Sequence, residues 1–210
     1  MSNSADQLEK RGLSPSCEEC PSHRLLSRRT ILKSALGVGL SIQFTSLAAG
    51  VDDELRKMRP QAGDSLVFAR GDRQGQPVTF QDVPLGGPPV IVYAMDPQTQ
   101  TVRNGSRLNQ VLVVRLAQEG LTEPTRGGAA EGIVSYSAIC THTGCDVSGW
   151  QNERKYFICP CHASTFDPKD RARVVSGPAP RPLAALPLRL VDGKISVVGS
   201  FSGRVGAEQK

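Results

Sequence analysis

The chain has 210 residues, enough for one folded domain with extensions at its ends. Its hydrophobic fraction of 39% and charged fraction of 21% are those of an ordinary globular protein and argue against a wholly disordered chain. The formal net charge of +5 comes from Lys and Arg residues spread along the sequence, without a basic stripe or interleaved aromatic residues. We therefore expect no nucleic-acid partner.

The N-terminal region has the pattern of an export signal. Residues 1–26 are polar, and we expect a disordered cytoplasmic tail there. Residues 27–49 begin with a twin-arginine run, Ser27-Arg28-Arg29-Thr30-Ile31-Leu32-Lys33, and continue as the only long apolar stretch of the chain. A twin-arginine pair directly before an apolar run predicts export by the twin-arginine route.

The same stretch is long enough to serve as a membrane anchor. Its 19 residues from Ile31 to Ala49 would form a helix of about 28 Å, roughly the thickness of the hydrocarbon core. Small residues at Ser46-Leu47-Ala48 offer an alternative, a site where a peptidase could remove the signal. We expect an uncleaved anchor helix in a bacterial inner membrane, with the remaining chain on the periplasmic side.

Beyond this helix the sequence predicts an all-β domain. Residues 50–63 form a charged linker, residues 64–200 the domain, and residues 201–210 a flexible C-terminus. Short apolar runs alternate with Gly- and Pro-rich turns, which favours an antiparallel β-sandwich or small barrel. The predicted strands are Ser65–Ala69, Val90–Met95, Val111–Leu116, Ile133–Ser137, Tyr156–Ile158, Leu186–Val191 and Lys194–Val198. Asp192-Gly193 between the last two predicts a tight hairpin.

Two short segments carry the metal-binding chemistry. The first is Cys140-Thr141-His142-Thr143-Gly144-Cys145, and the second is Cys159-Pro160-Cys161-His162-Ala163-Ser164. Together they place two of the three histidines and four of the six cysteines within 23 residues. A structural zinc site of two cysteines and two histidines is one interpretation, but it leaves two cysteines unexplained. The alternative is an iron–sulfur cluster clamped between two loops, one Cys and one His from each.

In this pattern the chain resembles the Rieske proteins, in particular their high-potential branch, over roughly residues 60–200. The resemblance implies a cluster-binding subdomain at about 138–182, inserted in the β domain, that holds one 2Fe–2S cluster. It also implies the following roles: Cys140 and Cys159 ligate one iron, His142 and His162 ligate the other, and Cys145 and Cys161 form a disulfide.

The resemblance also implies which residues surround the cluster. Gly177-Pro178-Ala179-Pro180 matches the loop that covers the cluster in the family, and Gly144 belongs to the first loop. Ser164 matches a residue that donates a hydrogen bond to a cluster sulfur. Phe166 stands where the high-potential pattern has a tyrosine, so the second donor is missing.

By the same resemblance we expect a one-electron relay to a c-type cytochrome. The favoured donor is quinol at a membrane cytochrome b, as in cytochrome bc complexes, where His142 or His162 would also accept the proton of the quinol. An alternative donor is a molybdopterin subunit, as in arsenite oxidase, which Thr143 and Phe166 favour. A redox-sensing module without turnover is a third alternative. Only one histidine lies outside the two segments, so the chain lacks the ligands for the mononuclear iron of a ring-hydroxylating oxygenase.

Overall fold

A computed structural model of the chain describes residues 50–208. The predicted cytoplasmic tail and the predicted anchor helix (27–49) lie outside the described residues. Among residues 50–208, no helix is both long enough and apolar enough to cross a membrane. The helices there are short: α1 over residues 50–57 and α2 over Glu123–Arg126, with single 3₁₀ turns at Phe80–Asp82, Arg107–Asn109 and Gln118–Gly120.

The described residues form two antiparallel β-sheets. The larger sheet has six strands in the order β4-β3-β2-β1-β10-β9, and the smaller has four in the order β5-β6-β7-β8. The strands are β1 (Ser65–Phe68), β2 (Val90–Met95), β3 (Val111–Arg115), β4 (Ile133–Ser137), β5 (Gly149–Gln151), β6 (Tyr156–Ile158), β7 (Thr165–Asp167), β8 (Arg173–Ser176), β9 (Leu188–Val191) and β10 (Lys194–Val197).

The larger sheet curls toward a barrel, because its outer strand β4 also pairs with the chain just before β9. Ser137 N donates to Ala184 O at 2.8 Å, and Leu186 N donates to Ser135 O at 3.0 Å. Strands β5–β8 come between β4 and β9 in the chain, so the smaller sheet is an insertion in the larger one. The predicted fold class, an antiparallel β-domain with an inserted subdomain, is therefore confirmed.

Strand β3 separates two apolar cores. Val111 and Val113 point into the core enclosed by the larger sheet. Leu112 and Val114 point into a second core, shared with the smaller sheet through Phe157 and others. Because side chains alternate along a strand, a strand between two cores needs apolar residues at every position, and this explains the unbroken run Val111–Val114.

All seven predicted strands are present, and three others were not predicted. The missed strands β5, β7 and β8 have three or four residues each, too few for an alternating pattern to be recognised. The predicted hairpin at Asp192-Gly193 is confirmed: both residues have positive φ, 49° and 74°, and Lys194 pairs with Val191 across the turn. These are the backbone angles of a type I′ turn.

The chain on both sides of the sheets makes contacts with the domain. At the end of α1, Gly105 N donates to Arg56 O at 2.9 Å, and just after it Asn109 Nδ2 donates to Met58 O at 2.7 Å. After β10, Phe201 packs against the core of the larger sheet. The predicted boundaries of the linker (50–63), the domain (64–200), the subdomain (138–182) and the flexible C-terminus (201–210) stay predictions.

Candidate metal centre

Three loops meet at one end of the smaller sheet and bring the predicted site residues together. Loop 1 (residues 138–147) follows β4, loop 2 (159–164) follows β6, and loop 3 (177–182) follows β8. Loops 1 and 2 contain the two Cys/His segments, and loop 3 contains the Gly-Pro-Ala-Pro sequence. The sheet therefore positions three segments that are distant in the chain.

Loops 1 and 2 are closed by the same backbone hydrogen bond. The N–H of Cys140 donates to the carbonyl of Cys145, five residues on, and the N–H of Cys159 donates to the carbonyl of Ser164, both at 2.8 Å. The residue before each acceptor has a left-handed backbone, with φ 80° at Gly144 and 55° at Ala163. Glycine adopts this conformation without steric cost, which gives Gly144 its role in loop 1.

The two thiols that take no part in a disulfide are buried side by side. Cys140 and Cys159 are each 1% exposed, and both belong to the core shared with the smaller sheet. Burial raises the pKa of the Cys140 thiol, and the neighbouring Cys159 thiol raises it further. Hydrogen bonds from the His142 backbone and the Ser164 side chain act in the opposite direction. A cation bound between the two thiols would favour their deprotonated form and offset the effect of burial.

The two histidines lie at the surface, and their rings face each other through the same nitrogen, Nδ1. His142 is half-buried and His162 is exposed. Their Nδ1 atoms are 3.2 Å apart, and the rings are nearly perpendicular, at 87°. Two nitrogens bound to one tetrahedral metal at about 2.1 Å would lie about 3.4 Å apart. The observed separation therefore fits two ligands of a single metal ion.

The remaining two cysteines, Cys145 and Cys161, form a disulfide between loops 1 and 2. The sulfur atoms of this pair and of Cys159 all lie within 4.8 Å of one another. The disulfide thus joins the two loops directly beside the Cys159 thiol. A zinc site of four cysteines is not available here, since two of the sulfurs are already bonded to each other.

Loop 3 closes over loop 2 at Ser164, which is fully buried. The Ser164 hydroxyl accepts a hydrogen bond from Ala179 N at 3.1 Å, so its own proton is free to be donated to a sulfur. Gly177 has φ 87°, and a Cβ there would lie 2.5 Å from Cα of Ser164. Only glycine fits this approach. Pro178, the next residue of the loop, is exposed.

Phe166 is fully buried in the core that also contains Cys140 and Cys159. It lies on β7 opposite Phe157 of β6. The residue that replaces the expected tyrosine is thus an interior side chain of the subdomain that carries the site.

Two further residues beside the site, Thr141 and Arg181, were not predicted from the sequence. Thr141, which lies between Cys140 and His142, is 1% exposed and donates from Oγ1 to Arg181 O at 2.6 Å. Arg181 immediately follows the Gly-Pro-Ala-Pro sequence, and this position is the feature of the sequence that could have indicated that Arg181 lies near the site.

The donor set of the site is two buried thiols and two imidazoles, drawn equally from two loops. This set matches a 2Fe–2S centre in which two histidines replace two cysteines on one iron. The buried thiol pair and the facing Nδ1 atoms fit that group. The buried Ser164 hydroxyl fits a hydrogen-bond donor to one of its sulfurs.

Comparison with known proteins gives the same result. Residues 94–187 match the model of the Rieske [2Fe-2S] domain. Two curated relatives are named cytochrome bc1 complex Rieske iron-sulfur subunit. The one from Streptomyces lividans is 33% identical over 62% of this chain and 79% of its own length. The one from Streptomyces coelicolor is 33% identical over 72% of this chain. This chain spans only 46% of the S. coelicolor protein.

A third relative has a different name. A Haloferax mediterranei protein, provisionally named the Rieske subunit of a respiratory nitrate reductase, is 38% identical over 50% of this chain and 47% of its own length. The shared feature of these relatives is the Rieske domain. The present chain belongs to the Rieske [2Fe-2S] family, whose cofactor is a 2Fe–2S cluster.

Proposed function

We propose that this chain is the Rieske subunit of a cytochrome bc-like complex, relaying single electrons from quinol to a c-type cytochrome. In this proposal Cys140 and Cys159 hold one iron, and His142 and His162 hold the other. When bound, the cluster accepts and donates one electron at a time, at a higher potential than clusters held by cysteine alone. The bc1 names of the Streptomyces relatives support the proposed complex.

The observation that carries the proposal is the unequal burial of the four ligands. The thiols of Cys140 and Cys159 are 1% exposed, whereas His162 is exposed and His142 is half-buried. A donor or acceptor can therefore approach the site from the histidine side only. With the Nδ1 atoms of the two rings facing each other, Nε2 of each ring is left to donate a hydrogen bond to a bound molecule or to take up its proton.

The surroundings of the site complete the assignment of roles. The disulfide and loop 3 hold loops 1 and 2 in place and exclude water from the thiol side. Ser164 supplies a hydrogen bond on the buried side, and Phe166 supplies none there.

The cellular arrangement in this proposal follows from the N-terminal sequence. Residues 27–49 would direct export by the twin-arginine route and remain as an anchor in a bacterial inner membrane, with residues 64–200 on the periplasmic side. This route carries folded proteins, which suits a protein that leaves the cytoplasm with its cluster in place.

The ligand assignment is tested with three histidine variants. His142→Ala and His162→Ala should each lose the cluster, because the only other histidine of the sequence, His23, is far from both loops along the chain. His23→Ala, which alters the third histidine, is the control and should bind iron like the wild type. The measurements are iron content and the rhombic EPR signal of the reduced protein. A colourless wild-type protein with stoichiometric zinc would overturn the assignment.

A molybdenum enzyme of the arsenite oxidase type is a second candidate complex. Thr143 is exposed at the tip of loop 1, and Phe166 replaces the tyrosine of the quinol-oxidising pattern. The Haloferax relative also has the name of a subunit of an oxidoreductase other than bc1.

Affinity purification of the full chain from detergent-solubilised membranes distinguishes the two candidates. A co-purifying multi-haem cytochrome b supports the first candidate, and a co-purifying molybdopterin subunit supports the second. The quinol proposal also predicts reduction of the purified complex by quinol.

A further inference from the structure

The C-terminal segment, residues 199–208, extends from β10 to the cluster loops, and the proposed function assigns it no role. Ser202 near its start is joined to Ala185 by two hydrogen bonds, Ser202 N to Ala185 O at 2.8 Å and Ala185 N to Ser202 Oγ at 2.9 Å. Gly206 near its end is buried, and a Cβ there would lie 3.2 Å from Cγ2 of Ile139. The segment therefore packs against loop 1 directly before its first cysteine.

Arg181 of loop 3 connects this segment to loop 1. Its guanidinium donates from Nη1 to Arg204 O at 3.2 Å and from Nη2 to Gly206 O at 2.9 Å. Its backbone carbonyl accepts the hydrogen bond from Thr141 at 2.6 Å. Its Nε is buried and has no hydrogen-bond partner among residues 50–208. The guanidinium is thus held by the two carbonyls, and its Nε lies 3.9 Å from the Glu208 carboxylate of the same segment, too far for a hydrogen bond.

We propose that Arg181 is a positioning residue that fixes loop 1 and thereby slows the loss of the cluster. Its side chain fastens loop 3 to the C-terminal segment, and its carbonyl orients Thr141, the residue between the two ligands of loop 1. The planar guanidinium can bond two carbonyls at once in one fixed geometry, which a lysine cannot do. The inference rests on the proposed ligand set, because it concerns the residue between Cys140 and His142.

The test compares two variants with the same change of charge. Arg181→Met removes both hydrogen bonds to the C-terminal segment and the longer contact with the Glu208 carboxylate. Arg204→Met is the matched control, because only the backbone carbonyl of Arg204 takes part in the contact. The measurement is the rate at which the full-length, cluster-loaded protein loses its visible absorbance with excess EDTA. We expect Arg181→Met to lose the cluster at least about tenfold faster than wild type, because about tenfold is the factor for a single hydrogen bond from a charged donor and this variant loses two. Arg204→Met should match wild type.

A second set of variants separates positioning from a general loss of stability. Thr141→Val should accelerate cluster loss, and Thr141→Ser, which keeps the hydroxyl, should restore the wild-type rate. The double variant Thr141→Val/Arg181→Met should be no faster than the faster single variant, because both changes break one chain of contacts. Arg181→Lys, which keeps the charge and is the milder change for folding, should lose the cluster at an intermediate rate.

Each outcome decides the proposal. Equal rates of cluster loss in Arg181→Met and Arg204→Met would overturn it, as would fully additive effects of the Thr141 and Arg181 changes. Cluster loss in Thr141→Ser as fast as in Arg181→Met would also overturn it. A wild-type protein without a 2Fe–2S cluster would instead refute the proposed ligand set, and this is determined before any variant is compared.

Discussion

At the scale of single residues, Ser164 and Phe166 differ in whether they can donate a hydrogen bond near the thiols. Ser164 and Phe166 are both fully buried near the thiols, but only the serine can donate a hydrogen bond. Donors to cluster sulfurs stabilise the reduced state, whose sulfurs carry more negative charge, and so raise the midpoint potential. The side chain at position 166 should therefore influence the potential directly.

Phe166→Tyr should raise the midpoint potential by tens of millivolts. One charge-assisted hydrogen bond of about 1.5 kcal/mol, felt only by the reduced form, would shift a one-electron couple by about 65 mV. The shift should be smaller than this, since the oxidised cluster also gains part of the bond. Ser164→Ala should lower the potential, and the double variant should show roughly the sum, because the two hydroxyls act on different sulfurs.

Redox titration of the purified variants measures these shifts. Phe68→Tyr is a suitable control, because Phe68 packs against the other core, within the larger sheet; its potential should equal that of wild type. An unchanged or lowered potential in Phe166→Tyr would mean that the side chain at position 166 does not face the cluster.

At the scale of structural elements, the disulfide between Cys145 and Cys161 joins loop 1 to loop 2. Cys145 and Cys161 are 16 residues apart in sequence, and closing a loop of this length is worth about 3 kcal/mol in the chain-entropy model. Cys145→Ser/Cys161→Ser should therefore lose its cluster at a lower temperature than wild type. Visible absorbance during heating measures this temperature, and an unchanged value would contradict the bracing role.

A second contact between elements is a buried ion pair beside α1. Arg103 and Asp64 are 4% and 3% exposed, and their contacts are 2.6 Å from Nε and 2.9 Å from Nη2. This pair joins the residue directly before β1 to the loop between β2 and β3.

Asp64→Asn should lower the free energy of unfolding by about 3–5 kcal/mol, because it leaves the Arg103 charge buried without a counter-charge. Asp146→Asn is the matched control: it breaks an ion pair with Arg107 in which both side chains are more than half exposed. Such a pair contributes less than about 1 kcal/mol. Urea unfolding measures both values, and equal losses in the two variants would contradict the distinction.

The stability of the whole molecule should depend on pH through Asp82. Hydrogen bonding to Arg73 is the main cause that lowers the pKa of the Asp82 carboxyl from 3.8 to about 2. A carboxyl whose pKa is lower in the folded state stabilises the fold above its unfolded pKa, and this stabilisation is lost as the pH falls through the folded pKa.

Asp82→Asn should therefore be less stable than wild type above about pH 4, and the difference should shrink toward zero as the pH falls to about 2. Thermal unfolding at several pH values between 6 and 2 measures it. Asp72→Asn, a change at an exposed position nearby, is the control. A difference between Asp82→Asn and wild type that does not change with pH would contradict the prediction.

The sequence by itself determined the features that depend on neighbours in the chain. The ligand candidates were recognised because the spacing of Cys140 and His142, and of Cys159 and His162, is fixed by the covalent chain within each loop. The all-β class and the hairpin at Asp192-Gly193 follow from local alternation and turn preference in the same way.

Only the tertiary structure decided which distant segments meet. The contact of Thr141 with Arg181 joins residues 40 positions apart, and neither residue has a pattern of its own that predicts it. The path of residues 199–208 along loop 1 is likewise set by packing on Ile139 and by hydrogen bonds from Arg181 to backbone carbonyls. Every residue has a backbone carbonyl, so the sequence does not indicate which of them accepts. The short strands β5 and β7 also depend on their partners, because three residues form a strand only where a neighbouring backbone supplies the hydrogen bonds.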